Sequence, residues 1–388
     1  MGRASVPTML ERNAHPTLHR RDACATNITE LFRTAADPGR LTLFTHNQAL
    51  TDHPSSWGQL LMVGIPGPRA DAVARELVRD LKVGGVILFA RNIESPEQVW
   101  ELTRDLQREA LAATGQPLLL AVDQEGGRVQ RLKAPFTIIP AARDLGANST
   151  PAEVERLARQ VAREMALVGL NVNLAPVLDV PRSPACPQWD RAYSSDPERA
   201  ARFGLAAIRG YLAGGVIPVA KHFPGLGDTL ADSHEVLPRA LSSDAKREAD
   251  LLPFRQAIAA GVPMVMTAHL AVPEWEARPA TLSPVALKEW LRRRLGFDGV
   301  IITDDLEMGG ITTSLSAPQG AKEALAAGAD LLLICNNWQA AWETARLLAM
   351  DASLAPRGRE AAARLNSLRQ TLRGESAELP AVRGYFAR

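Results

Sequence analysis

The stretch VIPVAKHFPGLG, residues 216–227, joins an apolar run to a lysine, a histidine and a glycine-rich turn. A short apolar run bounded by turn residues is typical of a strand that is buried on both faces, as in a parallel sheet. Lys221 and His222 stand where this run ends, and the FPGLG that follows them turns the chain outward. The stretch therefore predicts a buried strand that carries polar side chains at its carboxyl end.

Seven further apolar runs of this kind occur along the chain, at 59–65, 84–90, 117–123, 171–180, 263–270, 299–306 and 330–336. Helical patterns with apolar residues at i, i+3 and i+4 separate most of them, at 71–82, 96–115, 151–169, 196–215, 282–296 and 337–351. Eight strand–helix units predict an α/β chain folded as a single-domain (β/α)8 TIM-type barrel. The alternative is an open doubly wound sheet, but no GxGxxG follows the first run, which argues against a dinucleotide-binding version.

The predicted catalytic barrel covers residues 57–352. Residues 1–56 are polar and aperiodic, so we expect an N-terminal extension that is disordered or not native to the protein. Residues 353–388 carry one helical pattern and a tail, which we expect to pack on the barrel.

Composition excludes several classes of protein. The 388 residues carry a net charge of +1, which does not suggest a nucleic-acid partner. No run of 18 apolar residues predicts a membrane span, and the N-terminus lacks the apolar segment of a signal peptide. The three cysteines, Cys24, Cys186 and Cys335, are too scattered for a disulfide framework or a CxxC zinc site. We therefore expect a cytoplasmic protein with neither membrane nor nucleic-acid partners.

Five of the apolar runs end in polar side chains that can perform chemistry. These are Asp123, Asp179, Lys221 with His222, His269, and Asp304 with Asp305. In a barrel the carboxyl ends of the strands converge on one rim, so the pattern predicts one shared site there. His222, His234 and His269 with a carboxylate are a possible metal set, but the HxH of barrel metal hydrolases is missing. We therefore expect neither a metal nor a cofactor.

A second histidine follows on the loop after residue 221, in the triplet Asp232-Ser233-His234. Residues i and i+2 of an extended segment point to the same side, so Asp232 can reach the imidazole of His234. A carboxylate on one ring nitrogen fixes the tautomer and leaves the other nitrogen to transfer protons near neutral pH. The alternative reading is a loop turn or a surface pair.

The stretch AKHFPGLGDTLADSH resembles the KHFPGHG…DSH signature of glycoside hydrolase family 3, in its bacterial β-N-acetylglucosaminidase branch. DQEGGRVQRL (123–132), NLAPVLDV (173–180), DRAYSSDP (190–197) and ITDDLEMGG (302–310) resemble the same branch in the same order. The resemblance spans about 59–350, and the DSH triplet is what separates this branch from the family's β-glucosidases.

This resemblance implies a retaining exo-β-N-acetylglucosaminidase that removes terminal N-acetylglucosamine from small cell-wall fragments. Asp304 is the implied nucleophile, and His234, oriented by Asp232, is the implied acid/base. The implied sugar-binding residues are Asp123, Arg191, Lys221 and His222. Asp305, Glu125 and Glu235 are interpreted as supporting or solvent-facing groups. His269 is left between a place on the floor of the site and support of the core.

Two departures from the family pattern are visible: Leu226 replaces the second histidine of PGHG, and DRAYSS replaces a DRSFG-like segment. Related alternatives are a family 3 β-glucosidase or a glycoside phosphorylase. A sugar-binding protein without activity and a metal-dependent barrel hydrolase are the alternatives from other classes.

Overall fold

Eight parallel strands form the centre of the protein. The computed structural model describes residues 53, 56–227, 229–240, 244–372 and 377–387, and all of them belong to one compact unit. The extension predicted over 1–56 lies outside these residues, apart from His53 and Ser56. The strands are β1 (Leu61–Gly64), β2 (Gly85–Leu88), β3 (Leu119–Val122), β4 (Val172–Asn173), β5 (Ile217–Phe223), β6 (Met264–Thr267), β7 (Val300–Ile302) and β8 (Leu332–Ile334).

The sheet closes into a barrel. From β1 to β7, each strand pairs in parallel with its neighbour along the chain, and β1 pairs with β8 through Leu61 and Leu332. A parallel bridge between Ile302 and Leu331 joins β7 to β8 and completes the ring. The predicted (β/α)8 barrel is therefore confirmed, and the open doubly wound sheet is wrong.

Helices connect the strands. They are α1 (Ala72–Arg79), α2 (Pro96–Thr114), α3 (Ala142–Asn148), α4 (Pro151–Leu167), α5 (Pro197–Gly214), α6 (Asp244–Ala259), the π-helix α7 (Val285–Arg294), α8 (Gly309–Thr312), α9 (Ala317–Ala327), α10 (Trp338–Ala349), α11 (Ala355–Arg369) and α12 (Leu379–Phe386). Two short hairpins extend from the rim. The first pairs Gln124–Gly126 with Val129–Gln130, and the second pairs Ala271–Val272 with Glu276–Pro279. No helix in the described ranges is both long and apolar enough to cross a bilayer.

Local chemistry explains where the long helices begin and end. Ser95 and Asp196 cap α2 and α5 by accepting hydrogen bonds from backbone N–H groups three residues on, and a proline follows each cap. Thr150 and Glu153 form a reciprocal capping box at the start of α4. These signals are visible in the sequence, which is why the three helices were predicted within about two residues of their ends.

The C-terminal helices pack against the barrel. Arg369, at the end of α11, is buried and donates to the carbonyl of Gly84 over 3.2 Å. Beyond α11, the indole N–H of Trp100 donates to the carbonyl of Ala377 over 2.6 Å. The ring of Phe386 in α12 lies edge-on to Phe136 at 4.7 Å.

A buried carboxylate attaches α11 to the strand layer. Asp330 is fully buried just before β8, where its Oδ2 lies 2.5 Å from Arg292 and accepts from the N–H of Ile301 over 2.9 Å. Arg357 and Arg364 of α11 pair with its Oδ1. One carboxylate thus compensates several cations that are largely excluded from water.

We expect Asp330→Asn to lower the free energy of unfolding by about 3–5 kcal/mol, because three arginines would lose their buried counter-charge. Urea unfolding followed by circular dichroism measures this change. The control is Glu289→Gln, which breaks an exposed ion pair with Arg293 and should cost about 0–1 kcal/mol. A cost for Asp330→Asn no larger than that of the control would contradict the role of this cluster.

Candidate active site

A cavity of about 300 Å³ opens at the carboxyl ends of the barrel strands. This volume lies at the lower end of the range for small-molecule sites and suits one sugar ring better than a long chain. The apolar side chains Ile87, Leu174, Met266 and Leu333 come from the strand layer. Of the seven residues predicted for the site, six line this cavity: Asp123, Arg191, Lys221, His222, His234 and Asp304. The seventh, Asp232, contacts His234 from outside the lining.

Four charged side chains form one connected network on one wall. The ammonium group of Lys221 is 2.8 Å from Asp123 and 2.5 Å from Glu125. Glu125 in turn accepts two hydrogen bonds from the guanidinium of Arg191, each over 2.8 Å. Two cations balance two anions, so the wall is polar but nearly neutral. Such a wall suits an uncharged ligand that is rich in hydroxyl groups.

Charges within this network shift the pKa values of Glu125 and Lys221. Burial alone would raise the pKa of Glu125, but the charges of Arg191 and Lys221 outweigh it and hold the pKa far below the usual range. Burial alone would lower the pKa of Lys221, whereas Asp123 and Glu125 raise it. Glu125, Arg191 and Lys221 are therefore charged at neutral pH. Glu125 is a supporting group, as one interpretation of the sequence had it, and not a solvent-facing one.

Asp179 orients His222. The carboxylate of Asp179 is fully buried and lies 2.7 Å from Nδ1 of His222. It also accepts from the backbone N–H of Leu226 over 2.7 Å. The Nε2 atom of His222 lies 3.4 Å from Arg191 and faces the cavity. The sequence placed Asp179 at a strand end but gave it no role.

Asp304 lies at the end of β7, with its Oδ1 accepting from the N–H of Asp305 over 2.9 Å. Burial alone would raise its pKa, but His222, His269, this hydrogen bond and Lys221 together lower it. Asp304 is therefore a carboxylate at neutral pH. By contrast, burial and the neighbouring charges of Glu307 and Asp304 raise the pKa of Asp305 to about 7.

His269 does not line the cavity. It is fully buried, and its Nε2 donates to the carbonyl of Asp305 over 2.8 Å. Burial lowers its pKa, and its Nδ1 lies 2.9 Å from the hydroxyl oxygen of Thr281. His269 therefore supports the segment that carries Asp304. Of the two roles left open by the sequence, a place on the floor of the site or a supporting position, the structure favours the second.

The loop after β5 brings His234 over the cavity. Its Nδ1 is 2.7 Å from the carboxylate of Asp232, which also accepts from the His234 backbone N–H over 3.0 Å. The side chain of His234 is 64% exposed, so water and a ligand can both reach it. Because Asp232 occupies Nδ1, the other nitrogen, Nε2, is the one available for proton transfer.

Glycines after Asp304 allow this loop to dock. The N–H groups of Gly309 and Gly310 donate to the carbonyls of His234 and Ser233 over 2.9 Å and 3.0 Å. A Cβ atom on Gly309 would lie 2.2 Å from the carbonyl oxygen of Glu235, so a side chain there would push the loop away. The GG of ITDDLEMGG thus couples the strand end with Asp304 to the loop with His234.

Several cavity residues were not predicted. Arg128 and Arg131 of the first hairpin line the mouth, and Gln188 lines the wall next to Arg191. Leu226, which replaces the histidine of the PGHG pattern, is buried in a small apolar cluster with Ala240, Ala268, Leu270 and Val272. The imidazole expected from the resemblance is therefore replaced by an apolar contact that stabilises the loop. Within the described residues, no three His, Cys, Asp or Glu side chains are grouped to hold a metal ion.

Comparison with known proteins identifies the family of this chain. Residues 55–368 match the model of the glycosyl hydrolase family 3 N terminal domain. A beta-hexosaminidase of Pseudomonas aeruginosa (strain LESB58) is 43% identical over 279 residues, which are 71% of this chain and 82% of that protein. A beta-hexosaminidase of Thiobacillus denitrificans is 40% identical over 299 residues, or 75% of this chain and 82% of that protein.

Solved structures show the same relationship. A glycoside hydrolase family 3 beta-N-acetylglucosaminidase from Paenibacillus sp. str. FPU-7 superposes with a TM-score of 0.80 and 37% identity, covering 85% of this chain and 65% of that longer one. NagZ from Neisseria gonorrhoeae, in complex with N-trifluoroacetyl-D-glucosamine, superposes with a TM-score of 0.68 and 32% identity, covering 84% and 96%.

The chain therefore belongs to glycoside hydrolase family 3. Within this family its enzymatic activity is that of a β-N-acetylhexosaminidase. The family resemblance that the sequence analysis stated is confirmed.

We expect Glu125→Gln to lower the free energy of unfolding by several kcal/mol at pH 7, because two buried cations lose their shared anion. Its folded pKa lies below the unfolded value of about 4.5, so its contribution is complete above that pH and is lost as the pH falls through the folded pKa. The difference between the two proteins should therefore shrink below about pH 4.5. Urea unfolding at a series of pH values measures it.

The control for this series is Glu101→Gln, which changes an exposed carboxylate on α2 and should alter stability little at any pH. A difference for Glu125→Gln that stays constant or grows as the pH falls would contradict the charge network.

Proposed function

We propose that the protein is a retaining exo-β-N-acetylglucosaminidase that forms a covalent glycosyl-aspartate intermediate. The observation that carries the proposal is a single cavity that holds Asp304, His234 and the neutral network around Lys221. Nucleophile, proton carrier and hydroxyl-binding groups are the components that a double displacement requires.

In the first step, a carboxylate oxygen of Asp304 attacks the anomeric carbon, and the bond from that carbon to the leaving-group oxygen breaks. Nε2 of His234 gives its proton to the departing oxygen, while Asp232 stabilises the ring through Nδ1. A low pKa keeps Asp304 ionised and ready to attack.

In the second step, a water molecule attacks the same carbon, and His234 takes up a proton from that water. The ester bond to Asp304 breaks, and N-acetylglucosamine leaves with its β configuration retained. The exposed position of His234 supports this step, because the water must reach both the ring and the sugar.

The proposed sugar-binding residues are Asp123, Arg191, Lys221 and His222. Their mutual hydrogen bonds hold them in place before a ligand arrives, which lowers the entropic cost of binding. A cavity of about 300 Å³ supports an exo mode in which one terminal ring is held.

The proposed substrates are small peptidoglycan fragments that end in β-linked N-acetylglucosamine, such as a disaccharide or a muropeptide. A solved relative that binds N-trifluoroacetyl-D-glucosamine supports a ring of the glucosamine type. A role in cell-wall recycling belongs to this proposal as well, and so does the cytoplasmic location expected from the composition.

We expect Asp304→Ala to reduce hydrolysis of nitrophenyl β-N-acetylglucosaminide by at least about 10³-fold while the protein stays folded, because the nucleophile is lost. Steady-state kinetics with thermal unfolding as the folding check provide the measurement. Asp298→Ala, at a site outside the cavity, is the control. A variant at 304 with wild-type turnover would place the nucleophile elsewhere.

We expect His234→Ala to slow substrates with poor leaving groups, such as disaccharides, about 10²-fold more than nitrophenyl glycosides. Nitrophenolate leaves with little protonation, so it depends less on a general acid. Rates for the two substrate classes on the variant and the wild type give the comparison. An equal loss for both classes counts against an acid role.

A further inference from the structure

Gln188 has a buried side-chain oxygen that accepts no hydrogen bond from the part of the chain that the structure describes. Its side chain lines the active-site cavity, and the residue is only 6% exposed. The Oε1 atom is buried and accepts from no group in the described part of the chain. Buried polar groups are normally paired, so an unpaired amide oxygen on a cavity wall points to a donor that arrives with the ligand.

The backbone fixes this amide relative to the proposed sugar site. The carbonyl of Gln188 accepts from the N–H groups of Arg191 and Ala192 over 3.1 Å and 3.0 Å. On one side, the carbonyl of Pro187 accepts from Arg128 over 2.5 Å. On the other, the guanidinium of Arg143 lies 3.8 Å from the centre of the Trp189 ring. The amide therefore stands beside Arg191 on a segment held at both ends.

Another buried glutamine in the same protein shows what a structural amide looks like. Gln98 on α2 is 8% exposed and is fully paired. Its Oε1 accepts from the N–H of Glu94 over 2.8 Å, and its Nε2 donates to the carbonyls of Pro68 and Asn92. Gln188 has the burial of such a residue, but its Oε1 has no such partner among the described residues. Support of the fold therefore does not account for this oxygen.

We propose that Gln188 is a further substrate-contacting residue, whose amide hydrogen-bonds a polar substituent of the N-acetylglucosaminyl ring. An amide offers one acceptor and two donor positions, and a hydroxyl or an acetamido group can both donate and accept. The inference rests on the proposed function, because it takes the sugar ring to occupy this cavity. It adds a neutral contact to the four charged or titratable residues already assigned to sugar binding.

The test substitutes Gln188→Met, which keeps the length of the side chain and removes its hydrogen bonding. We expect the kcat/KM for nitrophenyl β-N-acetylglucosaminide to fall roughly 3- to 10-fold, and the Kd for N-acetylglucosamine to rise by a similar factor. The unfolding temperature of the free enzyme should stay the same or rise, because no protein hydrogen bond is lost.

The matched control is Gln98→Met, which should show the opposite pattern, a lower unfolding temperature with an unchanged Kd. Titrations with N-acetylglucosamine and with glucose distinguish the two substituents. Weaker binding of N-acetylglucosamine alone identifies the acetamido group, and equal weakening for both sugars identifies a hydroxyl.

A Gln188→Met variant that binds N-acetylglucosamine as tightly as the wild type would overturn the inference, and so would one that loses stability with affinity unchanged. Failure of the proposed function looks different. In that case the wild-type enzyme would show no Asp304-dependent turnover, whatever residue stands at position 188.

Discussion

The buried ion network around Lys221 is the constraint on which the rest of the site depends. A lysine ammonium with 3% of its side chain exposed is tolerated only because Asp123 and Glu125 both lie within hydrogen-bond distance. Glu125 also holds Arg191, so residues from the ends of β3 and β5 are locked to the segment between β4 and α5. This network organises the proposed sugar-binding wall before any ligand is present, and it leaves the wall with little net charge.

The two proposed catalytic residues, Asp304 and His234, are held in place with different degrees of rigidity. Asp304 belongs to the barrel, and the fully buried His269 holds the neighbouring carbonyl. His234 belongs to an exposed loop that docks through two backbone hydrogen bonds to Gly309 and Gly310. The side chain of His234 is 64% exposed, so it can shift for a substrate at a smaller cost than the buried strand end could. A rigid nucleophile and an adjustable proton carrier suit a reaction in which the same histidine serves a leaving group and then water.

The sequence predicted the barrel well because short, doubly buried strands carry a strong local signal. The sequence was a poorer guide where contacts between distant residues determine the local structure. The run 171–180 reads as one strand, yet regular pairing ends at Asn173 and the chain then follows β5 through irregular hydrogen bonds. The helix α6 was missed because it contains Pro253 and because its apolar residues are weakly segregated to one face.

The residues of the site also divide into those that the sequence indicates and those that only the structure shows. The sequence predicted the polar residues at the strand ends and the Asp232–His234 pair, because these depend only on spacing along the chain. The contacts of Glu125, Asp179 and Gln188 were not predicted, since each depends on a partner or a cavity wall formed by distant parts of the chain. Only the folded molecule could show that one carboxylate joins two cations, or that one buried amide oxygen has no partner among the described residues.

The central claim is that Asp304 bonds covalently to the sugar, and trapping that bond tests it most directly. A fluorinated N-acetylglucosamine-type inactivator slows breakdown of the glycosyl-enzyme, and digestion followed by mass spectrometry locates the labelled residue. Our account predicts a single label on Asp304, and no label in Asp304→Ala. A label on another carboxylate, or complete inactivation without any covalent adduct, would contradict it.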